Sequence, residues 1–281
     1  MTMAALQSTR ISKCFEQLRA SGELGIVAYI TAGDPALEAS LKFVLALASA
    51  GADVIELGVP FSDPLADGPT IQRASERALK AGASLPLIID LIHRIRESSQ
   101  VPLVLFSYYN PILQMGLEKF AAAASRAGAD GVLVTDLAPE ESVEYRRILT
   151  SHHLDSIFLV APTSTDERLA TIANCSTGFL YLVSRTGVTG AKDTLPEDLP
   201  ALLRRVRTVT KLPVAVGFGI SQPGHISLLG GLADAAVVGS SLVSEIEQSK
   251  TPDLAAAALS ERVRLLKSVA RNGLSRREVM S

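Results

Sequence analysis

Residues 53–69 read Asp53-Val-Ile-Glu-Leu-Gly-Val-Pro-Phe-Ser-Asp-Pro-Leu-Ala-Asp-Gly-Pro69. After Asp53 the next five form a short apolar run broken by one acid, Glu56. The remainder is a turn segment stiffened by Pro60, Pro64 and Pro69, residues that fix φ and cannot continue a strand. A strand that stops in this way and gives way to helix-length sequence is half of a β-α unit. Seven further runs of the same kind occupy 26–31, 102–108, 131–136, 156–161, 178–184, 213–219 and 235–240. Between or after them lie stretches whose apolar residues recur at three and four, among them 37–50, 117–127, 141–149 and 254–269. Eight such units predict an α/β fold, a (β/α)8 TIM barrel. An open doubly wound sheet is the rival, but Thr31-Ala-Gly-Asp-Pro35 after the first run lacks the glycine-rich dinucleotide turn. Residues 10–20 precede the first strand and predict an extra N-terminal helix closing the barrel bottom, with Ile11, Phe15 and Leu18 as its buried stripe.

The chain has 281 residues, 47% of them hydrophobic, and a formal net charge of −2. No linker or composition break divides it, so 1–281 reads as a single domain. Its basic residues are scattered, which argues against nucleic acid or an anionic membrane as partner. The apolar stretch at 43–52 is too short to span a bilayer, and the N-terminus lacks a signal-peptide core, so the cytoplasm is the expected location. Cys14 and Cys175 have no metal-ligand spacing and read as ordinary thiols. No metal site is expected.

Chemistry in a barrel gathers at the carboxyl ends of the strands. Alternation along the second run turns Ile55 and Leu57 under the helices and Val54, Glu56 and Gly58 towards the axis. A carboxylate among such neighbours costs several kcal/mol unless paired or protonated, and its raised pKa suits proton transfer. A structural carboxylate bonded to a neighbouring hydroxyl is the alternative. Asp67 is either a second site acid or half of an Asp-Gly turn, and Asp63 a cap or partner contact. Val216-Gly-Phe-Gly-Ile-Ser221 and Val237-Val-Gly-Ser-Ser241 end the last two strands, the second opening a helix. Glycine lets backbone N–H groups approach an anion, so Gly219, Gly239 and Ser240 are phosphate ligands or, failing that, packing positions. The segment 184–196 is long, polar and glycine-rich and reads as a lid with Arg185 and Thr189 at its rim. All eight lysines fall outside the predicted strands, which disfavours a Schiff-base aldolase. His93, His152, His153 and His225 read as surface or capping residues.

The stretch from Glu56 to Pro69 resembles the signature of the tryptophan synthase alpha chain family. Thr31-Ala-Gly-Asp-Pro35, Tyr109-Asn-Pro111, Asp136 with Pro139-Glu-Glu-Ser142, Tyr181-Leu-Val-Ser-Arg-Thr-Gly-Val-Thr-Gly190, Gly217-Phe-Gly-Ile-Ser221 and Gly239-Ser240 are similar in kind and order. The resemblance covers nearly the whole chain. It implies a lyase that splits indole-3-glycerol phosphate into indole and glyceraldehyde 3-phosphate, with no cofactor in this chain. It further implies that Glu56 is the acid-base group, that Asp67 accepts the indole N–H, and that Tyr181 helps to position Glu56 or the substrate. Tyr29 and Phe218 would flank the ring, and the phosphate would lie against Gly190, Gly219, Gly239 and Ser240. Thr189 would contact Asp67 on closure. The implied partner is a beta chain carrying pyridoxal phosphate, in an αββα heterotetramer. Tyr29 and Tyr109 stand where Phe and a small residue are commoner in the family. A phosphate-binding barrel isomerase and a catalytically silent beta-chain activator are the alternatives.

Overall fold

The structure is a computed structural model and describes residues 9–183, 196–217 and 219–272. The elements run α1 (Arg10–Ser21), β1 (Gly25–Thr31), α2 (Leu37–Ala50), β2 (Val54–Gly58), α3 (Pro69–Lys80), α4 (Leu85–Arg96), β3 (Leu103–Ser107), α5 (Tyr109–Met115), α6 (Leu117–Ala127) and β4 (Gly131–Val134). A 3-10 turn at Pro139–Glu141 leads to α7 (Val143–Ser151), β5 (Asp155–Ile157), β6 (Leu159–Val160), α8 (Asp166–Cys175), β7 (Leu180–Val183) and α9 (Leu199–Val209). The chain ends with β8 (Val214–Gly217), α10 (Pro223–Leu229), β9 (Ala235–Val238), α11 (Ser240–Gln248) and α12 (Pro252–Asn272).

Every pairing is parallel, in the order β5-β4-β3-β2-β1-β9-β8-β7-β6. The two outermost members are consecutive in the chain, with Phe158 alone between them. The single run expected at 156–161 is therefore two short strands, one pairing with β4 and the other with β7. The Phe158 carbonyl still accepts from Tyr181 N at 3.2 Å. The sheet thus returns on itself as a nearly closed TIM barrel.

Two apolar layers follow from the alternation. Ile55 and Leu57 pack with Phe43, Leu47 and Ile88 under the helices, while Val54, Val104, Leu133 and Phe179 fill the interior. Helix α1 closes the amino-terminal mouth, its Ile11, Phe15 and Leu18 joining that interior cluster. Thr9 caps it by accepting from Ser12 N at 3.1 Å, and its hydroxyl donates to Asp155 at 2.7 Å. The helix expected at 141–149 begins two residues later, because Pro139–Glu141 form the 3-10 turn.

Acids organise the same end. Asp53, Asp130 and Asp234 precede β2, β4 and β9, and each accepts at 2.7 Å an N–H at the start of a neighbouring strand, from Ile26, Leu103 and Val214. Each also meets a cation: Lys267 at 2.8 Å, Arg96 at 2.7 Å and Arg207, respectively. Among the described residues no helix is long and apolar enough to cross a membrane.

Candidate active site

Glu56 occupies the middle of β2, in register with Tyr29 on β1 and Val104 on β3. It is wholly buried, and neither carboxyl oxygen has a hydrogen-bond partner among the described residues. The alternative of a carboxylate held by a neighbouring hydroxyl has no support there. Burial alone pushes its carboxyl up to about 8, since a low-dielectric site disfavours the charged form.

Above it, at the carboxyl ends, a pocket of about 470 Å3, open solvent included, is lined by Tyr29, Asp67, Ile71, Phe106, Tyr181, Gly219, Ile220, Val237, Gly239 and Ser240. Six of the residues expected to contact substrate or phosphate therefore meet here: Tyr29, Asp67, Tyr181, Gly219, Gly239 and Ser240. Glu56 is not on the open wall; it lies in the interior layer whose charge acts on both Tyr29 and Tyr181. Tyr29 and Tyr181 are buried, and desolvation raises both hydroxyls well above their ordinary range. The Phe106 ring packs edge-on against each of them, at 5.3 and 6.2 Å.

Two glycines give the tyrosines their room. A Cβ at Gly58 would stand 2.2 Å from the Tyr29 hydroxyl, and one at Gly217 would stand 2.3 Å from that of Tyr181. In both cases the glycine lies two positions beyond the tyrosine's register partner on the next strand. Two aromatic walls of the pocket are thus built by one local rule, with no side chain allowed where the ring must lie.

Asp67 comes from the proline-rich junction and is buried. Tyr108, which caps α5 at the end of β3, donates its hydroxyl to Asp67 Oδ2 at 3.2 Å and accepts from Ala66 N at 2.9 Å. The Phe61 ring lies 5.1 Å from that of Tyr108. Desolvation lifts the Asp67 carboxyl to about 6, against the opposing pull of the Tyr108 hydrogen bond. The two acids thus differ at neutral pH: Glu56 is mostly protonated, Asp67 mostly ionised. Asp63 is exposed, and among the described residues its carboxylate meets the Ser62 hydroxyl alone. Asp136 accepts from Tyr109 N at 2.7 Å.

The far end of the pocket is the start of α11. Gly239 is its N-cap residue and no side chain among the described residues caps the helix; the first N–H groups of a helix have no partner within it. Among the described residues no Lys or Arg lines the pocket. Those residues offer an anion backbone donors and the helix dipole.

Thr189, Gly190, Phe218 and Arg185 lie outside the described residues, as does the lid expected at 184–196 except for Pro196. The histidine expectation needs one correction. His225 is buried rather than on the surface, its Nδ1 accepting from Ser221 N at 3.3 Å, because α10 packs it inward. Sequence reasoning missed Tyr108, Phe106 and Ile71. The alternation that turned Glu56 inward applies equally to Val104 and Phe106. Nothing in the spacing marks the Tyr108 hydroxyl, since its partners lie 42 and 41 residues away.

A family model described as the tryptophan synthase alpha chain matches residues 15–271. A tryptophan synthase alpha chain from Solibacter usitatus is 51% identical over 241 residues, which is 86% of this chain and 90% of that one. Among solved structures, tryptophan synthase of Mycobacterium tuberculosis superposes with a TM-score of 0.87 at 35% identity, covering 94% of this chain and 98% of that chain. A tryptophan synthase complex from Pyrococcus furiosus superposes at 0.81 with 40% identity, covering 88% and 98%.

Proposed function

The chain belongs to the tryptophan synthase alpha chain family, and from that premise we infer how its pocket carries out the family's lyase reaction, cleavage of indole-3-glycerol phosphate into indole and glyceraldehyde 3-phosphate. The observation that carries the reading is the wholly buried Glu56, without a hydrogen-bond partner among the described residues, beneath a pocket that ends in a helix N-terminus.

Glu56 enters the reaction protonated and gives its proton to indole C3. The ring nitrogen then carries positive charge, which the Asp67 carboxylate stabilises while accepting the indole N–H. The Glu56 carboxylate next takes the proton of the neighbouring glycerol hydroxyl. The carbon–carbon bond breaks, its electron pair restores the indole ring, and the hydroxyl carbon leaves as the aldehyde. One proton leaves Glu56 and one returns. The unequal acidities of the two carboxyls suit this division of labour. Tyr181 positions Glu56 or the substrate. Tyr29 and Phe218 flank the ring, while Gly190, Gly219, Gly239 and Ser240 hold the phosphate. Thr189 meets Asp67 on closure.

In this reading the one-domain barrel needs no cofactor of its own. Its partner is a beta chain carrying pyridoxal phosphate, in a cytoplasmic αββα assembly that receives the indole. Leu65, 88% exposed beside Asp67, and Leu113 on α5, 55% exposed, support a protein partner at this face. The deciding experiment is indole release from indole-3-glycerol phosphate by the purified chain, alone and with a tryptophan synthase beta chain. Slow turnover that rises sharply on addition is the expected result. No turnover in either case would overturn the reading.

A further inference from the structure

The pocket continues outward along two helices. On α3, Ile71 lines the pocket, Ala74 follows one turn on, and Arg77 one turn after that. On α11, Ser240 lines the pocket, Val243 lies one turn on, and Glu247 beyond it. Residues three and four apart share a helix face, so each helix carries one stripe from the substrate site to its own far end. Between the stripes Ile71, Ala74 and Val243 pack with Tyr29 as a separate apolar cluster. At the far end the charges meet. Arg77 forks onto Asp34, with Nε to Oδ1 at 2.8 Å and Nη2 to Oδ2 at 2.7 Å, and its Nη1 reaches Glu247 at 2.8 Å. Arg73 forks onto the same Glu247 at 2.8 and 2.7 Å. Asp34, in the turn after β1, is 1% exposed.

We propose that Arg77 is a positioning residue: joined to Asp34 and Glu247, it fixes α3 against α11 and thereby sets the distance between Asp67 and the phosphate end of the pocket. The Asp67 loop runs directly into α3, whereas the phosphate end is the first turn of α11. Both helices rest on β1 as well as on each other, and their mutual contact is the part of that arrangement that carries the charged bridge between the two ends of a bound substrate. The apolar cluster permits sliding, because packing of Ile, Ala and Val is not directional. The forks do not, because a bidentate guanidinium–carboxylate pair has one geometry. Glu247 is held down to about 2, first by its hydrogen bonds from Arg73, so the bridge stays charged across the working range of pH.

The proposal rests on the substrate reading above, and the test separates the two. Binding is measured for glycerol 3-phosphate, which fills only the phosphate end, and for an indole-alkyl phosphate lacking the cleavable hydroxyl, which spans both ends. Arg77→Met should leave the first dissociation constant nearly unchanged. It should weaken the second by about tenfold, the scale of one lost charge-assisted contact, and raise KM for indole-3-glycerol phosphate in parallel. Glu247→Gln is the safer variant, since it keeps the buried Asp34 fork while loosening α11. It should produce the same selective loss in a chain of near-normal stability. Arg77→Lys should fall between, because a single ammonium restores the charge but not the fork. Equal weakening of both ligands, or no change in either with the chain folded, would overturn the clamp and leave the lyase reading intact. A wild-type chain that binds neither ligand would overturn the lyase reading and the clamp with it.

Discussion

The two mouths of this barrel treat the same chemical group in opposite ways. At the amino-terminal mouth Asp53, Asp130 and Asp234 each hold a strand N–H and a cation, so every carboxylate has charged and neutral donors. In the carboxyl-terminal half, among the described residues, Glu56 has no side-chain partner and the Asp67 carboxyl has one long bond, from Tyr108. Satisfied acids fasten the strand starts and the plug helix. Unsatisfied acids sit where a substrate can complete their contacts, and their pKa values rise accordingly. Stability is concentrated at one mouth and chemistry at the other.

The largest effect expected of any single change lies at Glu56. Glu56→Gln should lower kcat by about 10³- to 10⁴-fold, the upper range for a positioned acid-base group, with the fold intact. The same variant tests the cost of its burial. Between the ordinary value of 4.5 and the folded value of about 8, the folded chain holds a proton that the unfolded chain has lost. Stability should therefore fall as pH rises through that window, by about 1.4 kcal/mol per pH unit from this group. Denaturant unfolding of the two proteins should coincide near pH 4.5 and diverge towards pH 8, with the glutamine variant the more stable. Parallel curves would mean that Glu56 is ionised and compensated, and would remove the contrast between the two mouths.

At the opposite mouth the order of effects reverses. Asp130→Ala strips Arg96, whose side chain is 9% exposed, of its carboxylate and leaves the Leu103 N–H without an acceptor. Breaking such a pair costs about 3–5 kcal/mol, so the unfolding midpoint should drop sharply. Turnover measured well below that midpoint should match wild type. A comparable fall in kcat would show that the plug end communicates with the pocket.

Much of this division was legible in the sequence. The barrel followed from the spacing of eight apolar runs. Glu56 stood out because a charge in a β-branched run violates the pattern around it, and Gly219, Gly239 and Ser240, which line the pocket, were singled out by the rule that anions sit at the last two strand ends. What stayed hidden depends on approach in space. The break at Phe158 exists because one run must pair with β4 on one side and β7 on the other, a condition of closure that no local pattern carries. Tyr108 is one of two adjacent tyrosines, and only the folded chain tells which of them reaches Asp67. Arg73 and Arg77 look like ordinary solvated helix charges until Glu247, 170 residues away from Arg77, is brought beside them.

Asp67→Asn keeps the shape and hydrogen-bonding size of the side chain and removes its charge. The loss should be about 2–4 kcal/mol of transition-state stabilisation, the range for one preorganised electrostatic partner. It should appear in kcat/KM, with phosphate affinity untouched. An asparagine variant close to wild type would reduce Asp67 to the turn residue that its Asp-Gly context equally allows.

The smallest expected effect probes the one hydrogen bond that the Asp67 carboxyl makes among the described residues. The Tyr108 hydroxyl donates to Asp67 and accepts from Ala66 N, so it both steadies the loop and favours the ionised carboxylate. Tyr108→Phe removes both contacts and leaves the ring, with its packing against Phe61, in place. Burial then acts on Asp67 without opposition, and its pKa should rise above the present value of about 6. The acid limb of the kcat/KM profile, where Asp67 must be ionised to stabilise the ring, should move to higher pH. Activity on the alkaline side of that limb should fall only a few-fold, the effect of one neutral hydrogen bond of about 1 kcal/mol. A uniform loss at every pH would instead mean that Tyr108 acts only by holding the loop. An unmoved limb with full activity would mean that the carboxyl-terminal mouth leaves Asp67 as unsatisfied as Glu56, and the contrast with the paired acids at the other end would be complete.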